Sequence, residues 1–290
     1  MVSIVKELHS YCKMILGSPY LKDKLVPFTD WADWDLSTEE VTKDEDSNHF
    51  LAGNIPAREQ SIIMSDTKSK IPRLEHLNEP RNIGISLHHF ANHELMAIEL
   101  FAWGILKFPN AGRGIIRGFL KSMQEEQDHF RLYNSRMNEL GVQFGDKPLN
   151  RLFWKQIEKM QTLEKFTAIL SLSFEGANLD YTRIYKKALE FHGDFVTAGL
   201  IEKVYQDEIK HVKRGLAVFK HYLPEGLDDW SYFRSLLEYP FTPRRAKAYM
   251  FYPETRIKVG FSGHFVQMLG DFTDEYSGRV NMSSLEKVGI

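Results

Sequence analysis

Hydrophobic positions recur with helical spacing in four long segments of the chain. The segments cover residues 82–107, 112–140, 162–191 and 194–222. The residues that end them are, in order, Pro109, Gly141, Gly193 and Pro224. Thr162 stands where the third segment begins and is a suitable N-cap. At 1.5 Å per residue, four helices of about 25–30 residues predict a bundle about 40 Å long.

About twenty residues separate the second segment from the third, and they combine an extended stretch with a short helix near 149–160. Extended residues span about 3.3 Å each and helical ones about 1.5 Å, so this connection can run the length of the bundle. It would join two antiparallel helical hairpins. The prediction is an all-α, ferritin-like four-helix bundle with a long crossover.

The flanking regions differ from the four segments in composition. Residues 1–20 predict a short amphipathic helix, and residues 17–80, rich in Pro, Asp, Asn and Ser, predict a mostly irregular segment with short helical turns. After Pro224 the chain is rich in proline and aromatic residues, and we expect helical and loop additions packed on the bundle. The prediction is one domain over 1–290, made of an N-terminal part (1–80), the bundle (81–222) and a C-terminal extension (223–290).

Composition narrows the classes of protein that fit. The 290 residues are 43% hydrophobic and 26% charged with a formal net charge of −2, and no basic stripe indicates a nucleic-acid partner. Cys12 is the one cysteine, which excludes an intramolecular disulfide and a thiolate metal cluster. The most apolar stretches, 95–106 and 166–174, are shorter than the ~20 residues of a membrane helix, and no signal peptide is visible. We therefore expect a cytoplasmic protein with no membrane partner.

Two glutamates lie in the most apolar stretches of the predicted helices. Glu99 belongs to the first segment and Glu175 to the third. An ionised carboxylate in such surroundings needs a proton, a cation or a metal ion. No Lys or Arg lies within one helical turn of either residue; the nearest are Lys107 and Arg183. This pattern favours metal ligands over buried salt bridges.

The second and fourth segments each contain Glu-x-x-His. The two copies are Glu126/His129 and Glu208/His211. Residues i and i+3 of a helix project from one face about 5–6 Å apart, so a carboxylate and an imidazole can reach one ion together. Antiparallel pairing brings Glu175 level with Glu208, and Glu99 level with Glu126 within about one turn. A single Glu-x-x-His arises easily by chance. Two copies, each preceded by a glutamate in an apolar stretch, indicate a metal site.

Four carboxylates and two imidazoles at one height of a bundle are the ligand set of ferritin-like di-iron and di-manganese proteins. The six predicted ligands are Glu99, Glu126, His129, Glu175, Glu208 and His211. Carboxylate with imidazole suits iron or manganese, and the absence of thiolates argues against a structural zinc site. The predicted cofactor is a pair of metal ions, iron in the first place and manganese as the alternative.

Two acidic residues stand directly before the ligand glutamates. Glu125 is an alternative to Glu126, because both can face His129. Glu125 and Asp207 are also candidate hydrogen-bond acceptors that would orient a ligand imidazole. An exposed helix carboxylate is the alternative for each.

Other polar groups lie near the predicted ligands. Tyr205, one turn before the second Glu-x-x-His, would be an electron donor or hydrogen-bond donor near the metals, with a core tyrosine as the alternative. His88 shares a helix face with Glu99 but lies ~16 Å away along the axis, too far for a ligand. It would line an access path or end the bundle as a polar residue. Nearby His89 and His93 receive no role.

The chain resembles a ferritin-like family of unknown function that is related to the tRNA-modifying di-iron hydroxylases. The resemblance rests on HELMAIELFAW (93–103), EEQDHFRLYNSRMNELGVQFGD (125–146), FEGANLD (174–180) and YQDEIKHVKRG (205–215). It spans about residues 80–222, with a weaker similarity in PFTPRRAKAYMFYPETRIKVGF. Carried over by position, it implies the same six ligands. The step EGANLD, beside Glu175, departs from the family's pattern.

Such a centre predicts a type of chemistry. An O₂-dependent oxidase or oxygenase acting on a small substrate is the first prediction, because glutamates can change between terminal and bridging binding while the protein supplies geometry and a dry pocket. An electron-donor protein is then expected as a partner. The alternatives are iron binding or ferroxidase activity without an organic substrate, and a bundle with a structural metal pair. The long flanking segments disfavour a storage cage.

Overall fold

This computed structural model describes residues 3–52, 55–67, 70–275 and 287–289. These residues contain twelve α-helices, one short pair of strands and several short 3₁₀ helices. The helices are α1 (Ile4–Gly17), α2 (Leu21–Lys24), α3 (Trp31–Leu36), α4 (Asn48–Leu51), α5 (Pro80–Lys107), α6 (Arg113–Glu139), α7 (Leu163–Ile169), α8 (Gly176–Phe191), α9 (Phe195–His221), α10 (Asp229–Leu236), α11 (Pro253–Val259) and α12 (Gly263–Asp271). The strands β1 (Met64–Ser65) and β2 (Leu149–Asn150) pair in parallel. The prediction of a mostly helical protein is confirmed.

The four long predicted segments correspond to α5, α6, the run from α7 to α8, and α9. Their ends fall within about two residues of the predicted ones, the usual uncertainty of helix boundaries. The third segment differs in one respect. A turn of π-helix, Leu170–Glu175, separates α7 from α8. In a π-turn the backbone bonds span five residues, which the hydrophobic period of the sequence does not reveal.

The chain ends these helices with the chemistry that the sequence indicated. Gly141 has φ +73° and Gly193 has φ +83°, a conformation that glycine adopts without strain. After α6, the amide of Val142 donates to the carbonyl of Met137 at 2.9 Å, which completes a Schellman turn. At the start of α7, the hydroxyl of Thr162 accepts the amide of Lys165, so the predicted N-cap is confirmed.

Contacts between α-carbons divide the chain into two compact units. The first contains Met1–Ile71 and Gly84–Glu158, and the second contains Pro72–Ile83 and Lys159–Ile290. The single domain expected from the sequence stays a prediction.

In the first unit, α5 and α6 run antiparallel. The ring centroids of Phe90 and Tyr133 lie 5.8 Å apart, and those of Phe101 and Phe119 lie 5.7 Å apart. Residue numbers therefore rise on one helix as they fall on the other. This pairing fixes which side chains of the two helices can meet.

The N-terminal segment packs on the outer part of α6. Gln127 is fully buried, and its amide nitrogen donates to the backbone carbonyls of Lys24 and Val26 at 2.9 Å and to the Tyr11 hydroxyl at 3.1 Å. α1 is the predicted N-terminal helix. In the described part of the region after it, short helices and turns prevail, as the sequence indicated, together with the two-residue strand β1.

In the second unit, α8 and α9 form an antiparallel hairpin. Near its turn the ammonium of Lys186 lies 2.9 Å from a carboxylate oxygen of Glu202. Further from the turn the amide of Asn178 donates to Glu208 at 2.7 Å. The alignment continues into the π-turn.

The C-terminal helices add a second layer to this hairpin. Apolar side chains of α10 and α12 share one buried cluster with side chains of α9. They include Trp230, Phe233, Phe265, Leu269, Val212, Leu216 and Phe219. The expectation that the C-terminal extension packs on the long helices is therefore confirmed for the second unit.

Among the described residues, no helix has an apolar stretch of the length that a bilayer crossing needs. The expected cytoplasmic location stays a prediction.

Candidate metal centre

A carboxylate–imidazole group lies between α5 and α6. Glu94, Glu126 and His129 each place one ligand atom within 4.8 Å of those of the other two. Nδ1 of His129 lies 3.1 Å from Oε2 of Glu126, and all three side chains are buried. We refer to these three residues as the first triad.

Hairpin geometry explains why Glu94 belongs to this triad. The turn Pro109–Ala111 lies 15–17 residues after Glu94 and 15–17 residues before Glu126, so the two are level when the helices pair. The three-residue step from Glu126 to His129 then places both on the face of α6 that meets α5. The sequence contained this signal, because equal distances to a turn can be counted without coordinates.

The second unit holds a matching group, which we call the second triad: Glu175, Glu208 and His211. Ligand atoms of Glu175 and His211 lie within 4.8 Å, and Nδ1 of His211 lies 3.7 Å from Oε2 of Glu208. All three residues are buried. The amide of Asn178 donates to Oε1 of Glu208 and so fixes the orientation of that carboxylate.

The π-turn delivers Glu175 to the second triad. Gly215 of α9 faces Ser171, and a β-carbon on Gly215 would lie only 2.3 Å from the β-carbon of Ser171. The hydroxyl of Ser173 donates to the carbonyl of Ala168 at 2.7 Å, which satisfies a backbone group inside the widened turn. A wider turn changes the direction of every side chain after it. Glycine on the facing helix makes room for it.

A buried ion pair holds the chain directly after Glu175. Arg256 of α11 contacts both carboxylate oxygens of Asp180, at 2.7 and 2.9 Å, and donates to the carbonyls of Gly176 and Ala246. Arg256 and Asp180 are 1% and 0% exposed. Bidentate arginine–carboxylate pairs are geometrically demanding, so this contact fixes the start of α8.

Glu99 does not join either triad, which corrects the sequence prediction. Its carboxylate is fully buried between Arg58, at 2.7 Å, and Lys24, at 3.1 Å. The indole of Trp154 donates to it as well, at 3.2 Å. Glu99 is five residues from Glu94, more than one turn too close to the end of α5 to be level with Glu126. Its cationic partners are remote in sequence, which is why a search within one turn missed them.

The charges of this cluster shift the pKa of Glu99 and of Lys24. Burial acts to raise the pKa of Glu99, but Arg58 and Lys24 outweigh it and the pKa lies below its usual value. Burial lowers the pKa of Lys24 against the attraction of Glu99. The ammonium also donates to the carbonyl of Ile15 at 2.7 Å. The cluster ties the N-terminal segment to α5.

The three residues predicted to support the metal ligands have different surroundings. Asp207 is buried and forms ion pairs with Lys210, at 2.6 Å, and Lys203, at 3.4 Å. Glu125 is half-buried. Their role in orienting a ligand imidazole stays a prediction.

Tyr205 forms its hydrogen bond with the C-terminal layer, and its predicted role near the metals stays a prediction. It is half-buried, and its hydroxyl pairs with the hydroxyl of Thr255 on α11 at 2.8 Å, not with a residue of either triad. The tyrosine ring lies on the face of α9 that meets the C-terminal layer. Spacing along one helix gave its distance from Glu208 but not its direction.

His88 holds a loop, and its predicted place on an access path stays a prediction. Its Nε2 accepts the backbone amides of Gly145, at 3.0 Å, and Lys147, at 3.4 Å. Burial lowers the pKa of His88 to about 4, so the ring is neutral and can accept these bonds near pH 7. This contact anchors the segment after α6 to α5.

The donor sets of the two triads fit a metal ion. Each has two carboxylates and one imidazole, and every one of these side chains is 4% exposed or less. Carboxylates brought close together in a dry interior repel each other unless a cation or proton is shared. Oxygen ligands with one imidazole suit iron or manganese. The residues present therefore fit the predicted cofactor.

Fold and site together define a mostly helical protein that carries a buried carboxylate–imidazole triad on each of two antiparallel helical hairpins. The profile of the family described as "Protein of unknown function (DUF455)" matches residues 18–267, and the chain belongs to that family. It is similar to an uncharacterized protein of Haemophilus influenzae, with 27% identity over 190 residues. That alignment covers 62% of this chain and 65% of the relative. No solved structure matches the chain.

Proposed function

We propose that the chain is a ferritin-like di-metal carboxylate protein whose two triads supply the ligands of two iron ions, with manganese as the alternative. Its proposed activity is that of an O₂-dependent oxidase or oxygenase acting on a small substrate. The observation that carries the proposal is the repetition of one arrangement. Each hairpin places a buried glutamate beside a buried Glu-x-x-His, although the two hairpins have different turns.

The repetition supports a paired centre over two unrelated sites. Two helices supplying a Glu each and two supplying a Glu-x-x-His each are the recipe of ferritin-like di-metal proteins. With Glu94 in the place first given to Glu99, the six residues satisfy it. Each triad alone offers three ligands, one imidazole and two carboxylates, and carboxylates can bridge two ions.

The protein itself fixes the orientation of the ligand side chains and excludes water from them. When bound, the metal pair supplies the redox chemistry with O₂. Buried helices exclude water from the ligands. The hydrogen bond from Asn178 keeps one oxygen of Glu208 fixed, and the π-turn sets the direction of Glu175. These contacts limit the freedom of the carboxylates while leaving other oxygens able to bind.

The C-terminal layer supports an enzyme over a storage cage. Trp230, Phe233 and Phe265 cover a face of α9 with an aromatic cluster, and cage subunits use such outer helix faces for assembly. In an oxygenase step, one oxygen atom of O₂ enters a C–H bond and the other leaves as water, with two electrons and two protons consumed. That balance is why we propose an electron-donor protein as partner.

Metal analysis tests the centre itself. The purified chain, loaded with Fe(II) without oxygen, should hold about two ions, as the ferritin-like ligand set does. Glu126→Ala and His211→Ala remove a ligand from the first and second triads and should each abolish stable binding of the pair. Asp128→Ala is the matched control, since Asp128 is exposed on the same helix as Glu126 and pairs with Arg131. Unchanged metal content in both triad variants would overturn the proposal.

Oxygen addition then tests the activity. An oxidase or oxygenase consumes O₂ in proportion to two bound irons and stops, unless a reductant renews the Fe(II). Iron storage would instead take up many ions per chain under repeated Fe(II) addition. Uptake well beyond two ions per chain would contradict the proposed oxygenase function while leaving the metal centre in place.

A further inference from the structure

Two histidines of α5 stand side by side outside the triads. His89 and His93 are separated by four residues, and their ring centroids lie 4.4 Å apart at an angle of 62°. Both are half-buried in the first unit. On a helix, residues i and i+4 share one face, and two histidines at this spacing are a known way for a helix to bind a zinc ion.

The rings have no hydrogen-bond partner that accounts for them. Within the described parts of the chain, Nε2 of His93 is buried without a hydrogen bond. No hydrogen bond of His89 to a described residue is present either, whereas Nε2 of the neighbouring His88 accepts two backbone amides of the 145–147 loop. Buried polar atoms are nearly always satisfied, by protein, water or an ion. Nε2 of His93 therefore requires a partner that the described residues do not supply.

The spacing of the rings fits one shared ion. Imidazole nitrogens bind Zn²⁺ at about 2.0–2.1 Å, so at a tetrahedral angle the centres of two rings on one ion lie about 5 Å apart. The observed 4.4 Å needs only a small adjustment. Phe153 contacts His93 with centroids 5.0 Å apart, which limits the rotation of that ring. A restrained ring loses less freedom when it binds an ion.

We propose that His89 and His93 form a mononuclear site for a nitrogen-preferring divalent ion such as Zn²⁺, separate from the carboxylate triads. The ligand chemistry differs between the two kinds of site. Two imidazoles favour Zn²⁺ or Cu²⁺, whereas carboxylate-rich triads suit iron and manganese. Successive residues of a helix point about 100° apart, so His93 and the adjacent Glu94 project to different sides of α5.

Zn²⁺ titration of the full-length Glu126→Ala/His211→Ala chain isolates this site from the proposed iron centre. We expect one Zn²⁺ to bind, and His89→Ala or His93→Gln added to this background to weaken the binding at least tenfold. His264→Ala is the control, because His264 is 55% exposed and lies in the other unit. Absence of Zn²⁺ binding in the background chain, or binding unchanged by both histidine variants, would overturn the proposal.

A spectroscopic measurement on the wild-type chain covers the case in which that background chain does not fold. After loading with iron, one equivalent of Cu²⁺ should give an electron paramagnetic resonance signal with coupling to two nitrogens. His89→Ala should reduce the coupling to one nitrogen, and its far-ultraviolet spectrum should remain that of the wild type. A Cu²⁺ signal unaffected by His89→Ala would contradict the site whether or not the iron centre exists.

Discussion

At the scale of single residues, Glu94 and Glu99 show how five positions separate two roles. Both are buried glutamates of α5 with apolar neighbours in sequence. Glu94 meets Glu126 and His129, whereas Glu99 meets Lys24 and Arg58. One carboxylate stands among groups that we propose bind a metal ion. The other already has its cations, supplied by the protein.

This difference predicts opposite effects of two similar substitutions. Glu94→Gln should lower the iron content below the two ions per chain of the wild type, with a small change in the free energy of unfolding of the metal-free protein. Glu99→Gln should leave the iron content of the folded chain unchanged but destabilise it by about 3–5 kcal/mol, because two buried cations lose their counter-charge. Metal analysis and urea unfolding of the metal-free variants measure both quantities. Loss of iron in Glu99→Gln with unchanged stability would restore Glu99 as a ligand.

His88 should make the free energy of unfolding depend on pH. Its pKa lies at about 4 in the folded protein, below the ordinary value near 6.5, because the ring is buried. Its contribution to stability is therefore present above about pH 6.5 and is lost as the pH falls through about 4. The shift corresponds to up to about 3 kcal/mol.

Denaturant unfolding of the metal-free protein at pH 7, 5 and 4 checks this contribution. The wild type should lose more stability over this range than His88→Gln, which cannot gain a proton but can still accept the amide of Gly145. Equal losses in the two proteins would show that His88 does not contribute to the pH dependence.

Local sequence patterns could predict most of the triad residues but not the partners of Glu99. Five of the six residues predicted as ligands lie in the two triads, because Glu-x-x-His spacing and a buried glutamate are local features. Glu94 was missed although its distance to the turn is the better match. The pairing of Glu99 with Lys24 and Arg58 could not be predicted, because those residues lie 75 and 41 positions away and outside the long helices.

At the scale of elements, the helices follow from the hydrophobic period and their end signals, but the π-turn does not. Leu170–Glu175 lies inside a run whose hydrophobic spacing is that of one continuous helix. What selects the wider turn is a contact with another element. Gly215 of α9 leaves space for Ser171, and Ser173 satisfies the carbonyl of Ala168. The direction of Glu175 therefore depends on a glycine forty residues away.

A pair of glycine substitutions on α9 tests this dependence. Gly215→Ala places a β-carbon against Ser171 and should cost about 1–3 kcal/mol, the usual penalty of overpacking a core. It should also reduce iron binding, because the π-turn carries Glu175. Gly199→Ala is the matched control on the same helix, since nothing lies within 4 Å of its added β-carbon. That change should be neutral or stabilise by up to about 1 kcal/mol.

The iron content of the two variants should be compared in samples that contain the same fraction of folded protein. If Gly215→Ala kept both ions and the stability of Gly199→Ala, the π-turn would not depend on this contact. A loss of iron with full retention of stability would instead indicate that the turn shifts without unfolding.

At the scale of the whole molecule, the chain repeats one chemical arrangement in two compact units. Composition and hydrophobic pattern predicted the helical class, the four long helices and the added C-terminal layer, since these depend on local periodicity and on aromatic content. Membership of the family matched over residues 18–267 carries no assigned function. The proposed function therefore rests on the triads.

X-ray absorption at the iron edge tests the central claim most directly, because it reports whether two metal ions share one centre. The fully loaded wild-type chain should show iron–iron scattering at about 3.5–4 Å, the usual separation in two-metal sites. Glu94→Ala, in the first triad, and Glu175→Ala, in the second, should each abolish that signal. An iron-loaded wild-type chain with no iron–iron scattering, or a signal that survives the loss of either triad, would contradict the account.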